Sequence, residues 1–267
     1  MSDPLSDPSE PGDRDFIQSI AKGLLVLRSF SAERPTFTLA EMARETGLSR
    51  AAVRRVLLTL QSLGYVEVRG RQYAPLPKVL DLGYAFVSSA GLNGLIQAHL
   101  ERLNEEIDEA CSAGVLDDGQ VVYVARAQTR RLLSAVMGVG ARLNAASTAI
   151  GRVLLSGLDD EEVRRHLREH PAEAQTSMSI TEPERLLEEV RQARLRGYAI
   201  ADEELEIGFR AAAVPLRRSD GSIVAAINVG MHVSRVSLEE ARAEIVPKML
   251  AVADAIERDL AMHPMPF

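Results

Sequence analysis

The chain has 267 residues, 46% hydrophobic and 26% charged, with a formal net charge of −7 at neutral pH. That length suits two ordinary domains, and no apolar run approaches the roughly 18 residues that a membrane-spanning helix needs. The single cysteine, Cys111, cannot close an intrachain disulfide; it reads as a small core residue in a protein of the reducing cytoplasm.

The charge is unevenly placed. Residues 1–12 carry three acids and no base, 13–75 carry ten Arg/Lys against six Asp/Glu, and 76–267 carry 21 against 29. A basic module followed by an acidic body is the electrostatic layout of a nucleic-acid reader with a separate regulatory part. Residues 1–13 are acidic and rich in Ser and Pro, and lack both the basic and the apolar segment of a secretory signal. They are expected to form a disordered leader.

From residue 14 to 76 the pattern predicts a DNA-binding module. Phe16, Ile20, Leu24, Leu27 and Phe30 share one helical stripe. Thr38 then stands three residues before Glu41, the spacing of a capping box, and Gly47 is placed to end that helix. Ser49 can cap a second helix in which Val53, Val56, Leu57 and Leu60 face inward. Ala51 and Arg55 fall opposite that stripe, Arg54 flanks it and Arg50 lies in the first turn. Two short helices joined by a glycine turn make a helix-turn-helix. Ala51 and Ala52 permit close approach to base edges, and the arginines offer bidentate contacts to guanine or phosphate. The segment 65–75 reads as a hairpin wing with Arg69 and Arg71 at its tip, placed for phosphates or a minor groove.

Residues 77–94 are expected to form a connector helix, interrupted near Ala90–Gly94, that offers a dimer contact. Strands are expected at SAGVL, QVVYVAR and RLLSAVMG, followed by a helix at TAIGRVLLSGL and charged helices near 160–170 and 182–196. The second charged helix carries a possible Thr181–Glu184 capping box. Strands resume at GYAIA, FRAAAVPLR and SIVAAINVGM, with a turn at Asp220–Gly221, and a last helix starts from Ser237–Glu240 and should kink at Pro247. Strands at both ends with helices between predict an α+β domain over residues 95–262, an antiparallel sheet covered by helices.

Catalytic signatures are absent: there is no G-x-S-x-G, P-loop or H-E-x-x-H. His166 and His170 stand four apart on a helix, but Arg164, Arg165 and Arg168 would repel a cation, so no metal or cofactor is expected. His99 and His263 read as surface residues. An enzyme acting on a small acid and an effector-free DNA-binding protein are the rival classes.

IQSIAKGLLVLRSF, TLAEMARETGLSRAAVRRVLLTLQSLGYVE, STAIGRVLLSGL, GYAIADEELEIGFRAAAVPLR and AAINVGMHVSRVSLEE together resemble the IclR family of transcription regulators, over about residues 14–260. The resemblance implies a winged helix-turn-helix, a GAF-like effector domain, dimers or tetramers, and control of a catabolic operon by a small organic acid. RAAVRRVLLTL, LGYAF and NVGMHVSRVSLEE are closer to the branch that regulates protocatechuate, p-hydroxybenzoate and β-ketoadipate catabolism, which implies an aromatic acid or a derived dicarboxylate as effector. A regulator of another carbon-source pathway is the alternative. The resemblance nominates as pocket residues Ser147, Thr148, Ala149 and Ile150 before and in one helix. Phe209 and Ala211 come from one strand, Ala226, Asn228 and Gly230 from the next, and Leu132, Ala135 and Met137 from the opposite wall. Ala201 stands where the family often has an acid or serine. Arg210 is a candidate partner for the acid, although strand alternation turns it away from Phe209 and Ala211. On DNA, a homodimer would set two recognition helices on an inverted repeat, with half-sites about 10 bp apart or a multiple of that.

Overall fold

The computed structural model describes residues 16–31, 34–83, 92–128 and 138–262, and contacts divide the chain into two compact units that part near residue 86. The first contains α1 (Gln18–Arg28), β1 (Phe37–Thr38), α2 (Leu39–Thr46), α3 (Arg50–Ser62), β2 (Val66–Arg69) and β3 (Gln72–Pro75).

Short-range chemistry sets these boundaries. Thr38 accepts the Glu41 N–H, and the Glu41 carboxylate accepts the Thr38 N–H at 2.7 Å, closing the capping box. Gly47 ends α2 at φ 68°, a left-handed conformation that a side chain resists. Ser49 accepts the Ala52 N–H and opens α3. The core gathers Val26, Phe37, Met42, Val53, Leu57, Leu60 and Val66. The wing is β2–β3, and β1 adds a third strand in the antiparallel order β1-β3-β2. Two residues are too few to show alternation, so β1 leaves no sequence signal.

The α1 stripe departs from expectation. Leu27 and Phe30 pack against the core and Val26 is buried, but Phe16, Ile20 (57% exposed) and Leu24 (50%) face outward. The small core of this unit accommodates only the last turn of α1, and the apolar face before it is left exposed by the unit's described residues.

After β3 comes a 3₁₀ turn, Pro77–Val79, and residues 80–83 are helical. The expected break near Ala90–Gly94 lies partly outside the described residues, and Leu92 to Gly94 already belong to α4 (Leu92–Ile107).

The second unit continues with β4 (Ala110–Asp117), β5 (Gln120–Ala127), β6 (Arg142–Asn144), α5 (Ala149–Leu155), α6 (Asp160–Glu169), α7 (Pro183–Arg196), β7 (Ala199–Asp202), β8 (Phe209–Arg217), β9 (Ile223–His232), a single turn α8 (Leu238–Glu240), a π-turn (Ala241–Ile245) and α9 (Val246–Met262). Its sheet is antiparallel throughout, in the order β6-β5-β4-β9-β8-β7. Alternation sorts the strands onto two cores. Cys111, Ala113, Ala212, Val214, Ile227 and Val229 face α4 and α9, while Ala211, Ala213 and Ala226 face α5 and α7.

Several expectations change in this unit. The strand read at 131–138 lies almost wholly outside the described residues, and β6 forms the sheet edge. The helix expected to start with Thr181 begins one residue later: Pro183 takes the first helical position, where its missing N–H costs nothing, and Glu182 is an N-cap without a side-chain bond. Ser237 and Glu240 do form their box. Ahead of Pro247 the helix widens into the π-turn, which relieves the proline's lost hydrogen bond and ring clash. His99 is not a surface residue; it is largely buried and meets the Asp259 carboxylate at 2.9 Å, joining α4 to α9. His263 lies outside the described residues. Cys111 is buried, and burial pushes its thiol up to about 12, so it is inert at neutral pH.

Candidate functional site

Two surfaces carry chemistry, one in each unit. On α3, Val53, Leu57 and Leu60 fix the inward face, which leaves Arg50, Ala51, Arg54 and Arg55 exposed and Ala52 partly so. Thr38 and Ser49 are occupied by capping, so their role here is to aim α2 and α3. Gly70 and Arg71 form the tip of the wing, with Gly70 at φ 65°. Arg71 is exposed, and Arg69 sits beside Glu67 at 2.6 Å. Small residues and cations thus project together from a helix that is held by its own core.

The second unit carries a half-open cavity of about 650 Å³. Its wall is the sheet face not covered by α4 and α9. Three strands contribute one cross-strand row: Arg126 on β5 pairs with Ser112 on β4, and Ser112 pairs with Asn228 on β9. Directly paired residues share a face of an antiparallel sheet, and all three line the cavity. The adjacent row is small, Ala110 opposite Gly230. A Cβ on Gly230 would come within 2.7 Å of Phe209 Cζ, so the phenyl ring of Phe209 lies over that glycine.

Tyr123 joins the lining because of a β-bulge. Between Ala113 and Gly114 the register with β5 shifts, so that Gly114 faces Tyr123 and Val124 is the extra residue. Val124 and Ala125 both pack on the α4/α9 side, and alternation restarts with Tyr123 on the cavity side. Three residues apart, Tyr123 and Arg126 would otherwise point to opposite faces. Burial pushes the Tyr123 phenol up to about 12, so it remains a neutral donor. Burial lowers Arg126 from its ordinary value, yet an arginine remains a cation. Ser112 is 4%, Asn228 7% and Tyr123 2% exposed, and among the described residues no group hydrogen-bonds to their side chains.

Of the nominated residues, Ser147, Phe209, Asn228 and Gly230 line this cavity. Thr148 does not: its hydroxyl caps α5 by accepting the Gly151 N–H at 3.0 Å. That bond also takes up a donor at the N-terminus of α5. Ala149, Ile150, Ala201, Ala211 and Ala226 are buried in the core beneath α5 and α7, where apolar burial wins over lining. Leu132, Ala135 and Met137 lie outside the described residues. Arg210 points to the other face of β8, held by Asp202 at 2.7 Å and the Val236 carbonyl at 2.8 Å. The His166 and His170 rings lie 5.1 Å apart at a 52° tilt, and among the described residues no third His, Cys, Asp or Glu joins them in a metal-sized group. Burial first, and His170 second, lower the pKa of His166.

The sequence reading missed Arg126, Ser112 and Tyr123, and it also missed Arg152. The Arg152 guanidinium is buried and forks onto Glu204, with Nη1–Oε1 2.7 Å and Nη2–Oε2 2.6 Å. Its Nε–H reaches the Ala146 carbonyl at 3.1 Å. The Glu204 carbonyl accepts from Ser179, and its carboxylate from the Ile180 N–H. This network ties α5 and the turn at 145–148 to the segment carrying Leu205 and Glu206, which also line the cavity. A signal existed: α5 is buried all round, and a charge inside such a helix demands a buried partner.

Comparison with known proteins agrees with this architecture. Residues 19–70 match the IclR helix-turn-helix domain, and residues 84–258 match the bacterial transcriptional regulator IclR C-terminal domain. The chain is 40% identical to the Pca regulon regulatory protein of Pseudomonas putida over 243 residues, covering 91% of this chain and 84% of that one. It is 32% identical to the p-hydroxybenzoate hydroxylase transcriptional activator of Acinetobacter baylyi over 247 residues, covering 91% of each. A solved regulator from Rhodococcus sp. RHA1 superposes with a TM-score of 0.84 at 39% identity, covering 93% of this chain and all of that one. A basic helix-turn-helix followed by a cavity-bearing antiparallel sheet, matched along nearly its whole length, places this chain in the IclR family of bacterial transcriptional regulators.

Proposed function

We propose that this protein controls a catabolic operon for aromatic acids, binding operator DNA through α3 and the wing and releasing or engaging it according to a small organic acid held in the second unit. The observation that carries this reading is the cavity, in which a cation and three buried polar side chains line one half-open space. Such a constellation suits a small carboxylate. The names of the two curated relatives, one from a Pca regulon and one from p-hydroxybenzoate metabolism, support the aromatic class.

The DNA-binding form is a homodimer on an inverted repeat, and the uncovered stripe of Phe16, Ile20 and Leu24 on α1 supports a second copy as its partner. Among the described residues no helix is long and apolar enough to cross a membrane, consistent with action on DNA in the cytoplasm. Effector coupling of about 1–3 kcal/mol between the units would change operator affinity about 5- to 150-fold.

A thermal-shift screen of small acids, followed by gel-shift titration of the upstream DNA with and without the hit, tests both halves. Arg54→Ala with Arg55→Ala should abolish specific DNA binding while leaving the ligand-induced shift in place. Unchanged specific binding by that double variant would remove the DNA assignment. Absence of a shift with every acid would remove the effector assignment.

A further inference from the structure

Besides the sheet, three connecting segments line the cavity: the turn with Ser147, the stretch with Gln175 and the loop with Leu205 and Glu206. All three lead to one buried ion pair that does not itself line it, Arg152–Glu204. We propose that Arg152 and Glu204 are positioning residues for the effector: the pair sets the spacing of the three segments, and thereby how long a bound acid is retained. The inference rests on the reading of this cavity as the effector site, and it assigns a role to residues that do not touch the ligand.

The connections are short. Arg152 Nε–H holds the Ala146 carbonyl, next to Ser147, at 3.1 Å. The guanidinium fork fixes the Glu204 carboxylate, which also accepts the Ile180 N–H at 3.3 Å. The Glu204 carbonyl accepts the Ser179 hydroxyl at 2.6 Å, and Ser179 Oγ in turn accepts the Gln175 and Thr176 N–H groups at 3.0 and 2.9 Å. Glu203, at φ 58°, closes its own loop: its carboxylate accepts the Gly208 N–H at 2.8 Å, and its N–H donates to the Phe209 carbonyl at 2.9 Å. Leu205 and Glu206 are therefore carried by a closed loop whose position follows Glu204.

Burial does not hold these segments by itself. From 203 to 209 only Glu204 is buried, and from 171 to 180 no residue is. Met178 and Ile207 point outward, 55% and 59% exposed, leaving only partial packing by Ala172, Ile180 and Phe209. Segments with so few buried apolar contacts open locally at little cost unless something else fixes them. An apolar pair of similar volume would fill the space around Arg152 and Glu204 with no loss of stability. What it would not supply is the planar two-bond fork that orients the carboxylate, or the oxygen that takes the Ile180 N–H.

The test uses the full-length protein with Arg152→Met and Glu204→Leu combined, which leaves no buried charge unpaired and should melt near the unaltered protein. Titration and stopped-flow binding with protocatechuate and 4-hydroxybenzoate as probes should show affinity at least about tenfold weaker, chiefly through faster dissociation. Amide hydrogen exchange without ligand should quicken in 171–180 and 203–209 while the central strands β4 and β9 keep their protection. Ser179→Ala breaks one link and leaves the ion pair intact; it should move both readouts in the same direction by a smaller factor. If the double variant does not fold, Ser179→Ala decides by the same two measurements. A folded variant that binds the acids as the unaltered protein does, or whose exchange in both segments is unchanged, would overturn the proposal and leave the effector cavity standing. Failure of the unaltered protein to bind either acid would overturn the effector reading, and this inference with it.

Discussion

The two units build their working surfaces by opposite means. In the first, every part of the reader comes from neighbours in sequence: Thr38 caps α2 through Glu41, Gly47 turns the chain, and Ser49 opens α3. In the second, the polar row draws Ser112, Arg126 and Asn228 from three strands, with over 100 residues between the first and the last. A surface written locally tolerates losses elsewhere in the chain. A surface assembled from distant strands depends on whatever holds those strands and their covering segments in register.

That contrast is most exposed at Arg152 and Glu204. Removing one partner strands a buried charge, and Arg152→Met or Glu204→Leu should each cost about 3–5 kcal/mol in the second unit. Combining the two should recover most of that loss. Chemical denaturation followed by probes in each unit reads the difference; if α3 and its surroundings unfold together with the second unit, the two are not independent.

A smaller effect is expected at Gly230. Gly230→Ala places a methyl 2.7 Å from Phe209 Cζ and forces the ring into the cavity, an overpacking cost of about 1–3 kcal/mol. Effector affinity should fall, while DNA binding without effector stays unchanged. A titration showing unaltered affinity would mean that the ring does not border the ligand.

The smallest effect belongs to the local side of the comparison. Thr38→Ala removes a cap worth about 1 kcal/mol and should lower the melting of the first unit alone. Acidification should act the same way there. The Thr38 hydroxyl and N–H hold the Glu41 carboxyl below its usual range, so its contribution is present above the ordinary carboxylate pKa and is lost as pH falls through the lowered one. A melt of Thr38→Ala that responds less to pH in that window, with the remaining response owed to the Thr38 N–H, would confirm the link.

The same contrast explains what the sequence disclosed. The capping boxes at Thr38 and Ser237, the inward face of α3, the wing and the strand pairs near Asp220–Gly221 follow spacing rules that act within a few residues. Ser147, Phe209, Asn228 and Gly230 reach the cavity as the family resemblance implied. Arg126 and Tyr123 escaped because a bulge at Val124 breaks the period of two, and a bulge has no reliable mark in a single sequence. Ala149, Ile150, Ala201, Ala211 and Ala226 lie in the core instead of the cavity lining, because apolar residues serve a cavity wall and a core equally well. Only the packing of α5 and α7 decides between them. Thr181 failed through a direct competition in which Pro183 claimed the first helical position.

In the second unit, β4 lies beside β9 and α4 is pinned to α9 by His99 and Asp259, so the unit's opening and closing elements are neighbours. The helices by which the described chain enters and leaves this unit therefore lie side by side, as in many domains that travel between proteins. Such a module can be joined to a different reader, or carry an extra piece at its far end, without its sheet being rebuilt. The ligand wall then remains a self-contained cassette, free to diversify one strand residue at a time while the partner at its doorstep changes.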